Sequence, residues 1–115
     1  MNSLSDNPIL ARLLQVGVGE LPGDKLPDLA KYLEHRADST GLAAPQLAAD
    51  AIWEINHFLD EFSEGGGIRM NYISQIDSVL IPALTAIQRE DPLASTVTAR
   101  KLLAELRDLI KSYRP

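Results

Sequence analysis

A glutamate and a histidine three residues apart project from the same side of a helix, and Glu54-Ile55-Asn56-His57 places such a pair in the middle of the chain. That spacing supplies half of the ligand set found in carboxylate-bridged two-metal bundles. Asp50 and Glu61 fall on the same edge, stepping with Glu54 and His57 by four, three and four, so a symmetric homodimer would bring two such sets together. The full ligand set needs a second Glu-x-x-His and further inward acids. The chain has no other Glu-x-x-His, and the following helix offers Asp77 as its single acid before the last turn. Acids spaced by four are also the ordinary composition of a solvated face. A metal- or small-molecule-binding bundle built on Glu54 and His57 is therefore the second reading of this sequence, not the first.

Other catalytic arrangements are weaker. Gly65-Gly66-Gly67 has neither the following Lys-Ser/Thr nor the strand-to-helix setting of a phosphate loop. No serine has a nucleophile-elbow context, and His35 reads as a solvent-facing residue. The absence of cysteine removes thiol nucleophiles, disulfides and thiolate metal sites. No catalytic residue and no cofactor is assigned, and nothing marks an enzyme.

Surface features point instead to a partner. Trp53 lies on the side of its helix turned away from the apolar stripe, together with Asn56 and Asp60. An indole there leaves a large apolar area in water unless something covers it. Two covers are open: the N-terminal segment with Ile9, Leu13, Val16 and Val18, or a protein partner. Asp50, Glu54, Asp60 and Glu61 give the same helix an acidic edge suited to a basic surface. In the next helix Met70 and Ile81 stand on the flank of an unusually wide apolar arc. These residues, Trp53, Asp50, Glu54, Asp60, Glu61, Met70 and Ile81, are the expected partner-binding set. They favour a small acidic protein-binding module, an adaptor or an inhibitor of the immunity type, that covers a protein partner or a second copy of itself.

Arg100, Arg107, Lys111 and Arg114 form the only basic strip. It reads as a solvated face, as a neighbour of the acidic edge, or as an anion site. The net charge of −5 and the lack of interleaved aromatics argue against nucleic acid.

Helices must position all of these groups. Leu47, Ala51, Ile55, Phe58, Leu59 and Phe62 recur at three- and four-residue steps and define a helix from about Pro45 to Ser63. Asn7-Pro8 starts a short helix, because asparagine caps and proline is tolerated in the first turn. Gly17, Gly19 and Leu21-Pro22-Gly23 end it in a loop. A second helix from Asp24 or Lys25 carries Leu26, Leu29, Ala30, Leu33 and Ala37 on one face. Ile68 to Arg89 makes the fourth, with Pro82 expected to kink it. Asp91-Pro92 caps the last, whose core stripe is Leu102, Leu103, Leu106, Leu109, Ile110 and Tyr113. The triple glycine is expected to close a turn between the two longest apolar segments.

The 115 residues suit one domain, residues 1–115, with a single core. A hydrophobic content of 45% and a charged content of 23% are those of a folded chain in solution. The N-terminus lacks the basic start and apolar run of a secretory signal, and no stretch suits a bilayer, so cytoplasm is expected. Five helical pieces with short connections and no period-two strand predict an all-α fold, an up-and-down antiparallel bundle with three long helices.

Overall fold

The computed structural model describes residues 7–21, 24–63 and 70–113, without the side chains of residues 62, 63, 70 and 71. Gly65-Gly66-Gly67, Ile68 and Arg114 lie outside the described residues, as do the side chains of Phe62 and Met70. Five α-helices follow in order: α1 (Pro8–Val16), α2 (Lys25–Thr40), α3 (Ala43–Ser63), α4 (Met70–Arg89) and α5 (Pro92–Tyr113), with a 3-10 turn at Val18–Glu20. The fold is an all-α bundle.

The helix starts follow from capping. Asn7 Oδ1 accepts from the Ile9 and Leu10 N–H groups at 2.9 and 3.1 Å. Asp91 Oδ1 accepts from Leu93 and Ala94, both at 3.0 Å. In each case a proline follows the cap, where a missing N–H costs nothing. At the other end of α2, Gly41 takes the left-handed conformation and returns its N–H to the Ala37 carbonyl at 2.8 Å. That closes the helix and lets two residues, Gly41 and Leu42, connect α2 to α3.

The packing differs from a plain ring of sequential neighbours. α3 is clasped by α2 on one side and α5 on the other, α4 lies against α5, and α1 with its 3-10 turn sits across α2 and α4. The starts of α3 and α5 share one end of the bundle, where Ala44, Pro45, Pro92 and Ser95 line the same cleft. Phe58 and Tyr113 meet at the other end, with ring centroids 5.1 Å apart. α3 and α5 are thus parallel neighbours through the middle, although successive helices alternate in direction.

This clasp explains why the apolar stripe read for α3 is too narrow. Ala48, Ala49, Ala51, Ile52, Ile55 and Phe58 are all fully buried, and Asn56, assigned to the polar side, is buried as well. The buried arc spans both contacts, and the alanines allow neighbours to come close. The N-terminal helix is part of the same core: Leu10 and Leu13 are fully buried with Leu29, Leu33 and Leu80. α4 continues unbroken through Pro82, which is exposed, so the proline does not split it.

Candidate functional site

The acidic edge of α3 and the basic strip of α5 are neighbours. Arg107 Nε lies 3.2 Å from Glu54 Oε1, in a pair with both side chains substantially exposed. Of the three readings of the basic strip, the one that sets it beside the acidic edge is what the structure shows for Arg107. Glu54 is turned toward that guanidinium while His57 is exposed, so the two do not converge on an interior site. Among the described residues, no group of three His, Cys, Asp or Glu side chains is placed to hold a metal ion.

Trp53 is half-buried and packs against the hydrophobic core. Its indole N–H points to Glu34 Oε2 of α2 at 3.3 Å. The hydrogen-bonding cover therefore comes from α2, whereas the N-terminal segment proposed for it packs against α2 and α4. Asp50 is half-buried and accepts from Gln46 Nε2 at 3.1 Å. Asp60 and Glu61 are exposed, Ile81 is half-buried, and the side chain of Met70 lies outside the described residues.

Among the described residues, three others are large hydrophobics in water, and none of them belongs to the expected partner-binding set. Leu93 is 83% exposed, Val97 66% and Leu42 40%. Leu93 and Val97 are one turn apart on α5. Nine residues separate Leu93 from the buried Leu102, which at 100° per residue is half a rotation, so Leu93 faces away from the core by register alone. Leu42 sits at the same end of the bundle but on another side: with Pro92 and the buried Ser95 it lines a cleft of about 160 Å³, and Ser95 is half a rotation of α5 away from both Leu93 and Val97.

The outer surface of α3 and α5 thus has a defined pattern. One end is apolar on α5, with Leu93 and Val97. Beyond it an acidic row, Asp50, Glu54 and Glu61 on α3, runs beside a basic row, Arg100, Arg107 and Lys111 on α5. Arg100, Lys111 and Glu61 are exposed. On the other flank of α5, a shallow groove against α4 is floored by Val79 and Leu102. Its rim carries Lys101 and Glu105, 3.9 Å apart.

Among the described residues, Asp77 stands out by its environment. Its Oδ1 accepts from the Val18 N–H at 2.9 Å, tying α4 to the turn after α1. Burial pushes its carboxyl above the ordinary value of 3.8, and the Val18 hydrogen bond opposes that rise in part. Gly17 beside it has φ +82, and a side chain there would collide with the Asp77 carboxylate. This is a structural latch, since the group spends its acceptor on backbone.

Comparison of the chain with protein-family models, curated proteins and solved structures finds no match. Among the described residues, no helix is long and apolar enough to cross a membrane.

Proposed function

We propose that the protein is a small protein-binding module that docks its partner on the outer face of α3 and α5. The observation that carries this reading is the exposure of Leu93 and Val97, one turn apart on the outer side of α5 and the most exposed large hydrophobics among the described residues. A leucine as exposed as Leu93 adds little to the stability of the isolated chain, and its burial on docking contributes roughly 1.5–3 kcal/mol. The adjacent charge rows give such a contact orientation and register. The acidic edge does not act as an isolated negative patch against a basic active site, because Arg107 partly neutralises it. That favours an adaptor over an inhibitor of the immunity type.

Trp53, first among the expected contact residues, is committed in part to α2. The test accordingly uses the α5 residues. The tagged chain is compared with Leu93→Asp and Val97→Asp in capture from lysate of the cells that make it, with folding verified by circular dichroism. A partner retained by the wild type and lost by both variants supports the reading, and equal retention by all three contradicts it.

A further inference from the structure

The pattern on the α3–α5 face is complementary to itself, and we infer that its partner is a second copy of this chain, docked with α3 of one copy against α5 of the other. The inference rests on the docking face proposed above and names its occupant.

Symmetry decides the arrangement. Because α3 and α5 run parallel, the face has an apolar end, with Leu93 and Val97 at the start of α5, and two charge rows that run side by side away from it. A two-fold axis in the contact plane, parallel to the helices, exchanges the rows and keeps the ends in place. It sets Asp50, Glu54 and Glu61 of one copy over Arg100, Arg107 and Lys111 of the other, twice. The same rotation keeps the end that carries Leu93 and Val97 over the same end of the second copy, clear of its charge rows. A two-fold across the helices does the opposite on both counts: it lays acid on acid and leaves the hydrophobics against the charged end. One operator satisfies both the charges and the hydrophobics.

The charges available suit this use. Arg107 already bonds Glu54 within the chain. Stacking two copies places these two pairs head to tail at the centre, with opposite charges facing. Arg100 and Lys111 have no ion-pair partner among the described residues, so they enter the contact without breaking one. The size is adequate for a reversible dimer. Helices of 21 and 22 residues make a face about 30 Å by 20 Å, roughly 600 Å² per copy and about 1,200 Å² in all, the lower edge of specific interfaces. The expected dissociation constant is on the order of micromolar and rises with salt.

Sedimentation equilibrium of the full chain tests this with two charge-reversed forms. One carries Arg100→Glu with Lys111→Glu, the other Asp50→Lys with Glu61→Lys. Wild type is expected to dimerise, and each reversed form alone to do so at least about tenfold more weakly. An equimolar mixture of the two is expected to recover the dimer, because acid again faces base across the contact. A wild type that stays monomeric at about 100 μM, well above the expected dissociation constant, overturns the inference, as does a mixture that stays monomeric or reversed forms that associate like wild type. If a reversed form loses its helical signal, Arg100→Gln with Lys111→Gln replaces it and must weaken the dimer and flatten its salt dependence; an unchanged dimer overturns the inference. A monomeric wild type leaves the docking face itself standing, since that reading is tested separately by whether Leu93→Asp and Val97→Asp retain a captured partner.

Discussion

Asp77 shows how a single acid serves the fold at a cost that depends on pH. Its carboxyl is raised above the ordinary value by burial. In the unfolded chain it titrates at that ordinary value, so folding binds protons in the window between the two. The contribution of Asp77 to stability is therefore fully present below the unfolded value and lost as pH rises through the folded one. Asp77→Asn keeps an oxygen for the Val18 N–H and carries no charge. The two proteins are expected to have equal stability in acid, with the asparagine variant becoming the more stable across that window and keeping its advantage at neutral pH. Urea titrations at several pH values check this, and a wild type that gains on the variant as pH rises contradicts it. Trp53 gives a second residue-scale expectation. An indole packed on the core and bonded to Glu34 makes Trp53→Ala cost about 2 kcal/mol of stability, visible as a lower thermal midpoint. Unchanged stability would return the indole to the surface.

Among the elements, caps and stripes were the legible part. Asn7 and Asp91 bond the N–H groups that their types and the following prolines imply. The core faces of α2 and α5 matched their three- and four-residue spacing, since each buries one side. α3 was misread because it buries two sides at once. Asn56 is polar by type and buried by position, and nothing in its own neighbourhood signals the second helix that covers it. Leu93 and Val97 are hidden for a different reason: the apolar stripe of α5 runs from Leu102 onward, and the half-rotation between Leu93 and Leu102 is the signal that sets them outside it. α4 carries a testable cost. Pro82 leaves the Ser78 carbonyl without its usual intrahelical donor while its ring is exposed. Pro82→Ala is expected to raise stability by about 1–3 kcal/mol, measured by urea unfolding. A loss of stability would show that the proline is needed where it stands.

For the whole molecule, the parallel placement of α3 beside α5 is the organising fact, and it was not readable from the chain. Short connections imply antiparallel sequential neighbours, yet the direct contact of α3 with α5 skips α4. That placement turns an acidic edge and a basic strip, separate features along the sequence, into paired rows on one surface. It also brings Leu42 to the start of α5. The central claim is that this surface is covered in use. Photo-crosslinking reads it most directly: an ultraviolet-activated benzophenone amino acid is placed at Val97, or at the exposed Lys31 of α2 as control, in the cells that make the protein. A discrete protein adduct at Val97, absent at Lys31, is the predicted result. No adduct at Val97, or the same adducts at both positions, would contradict the account.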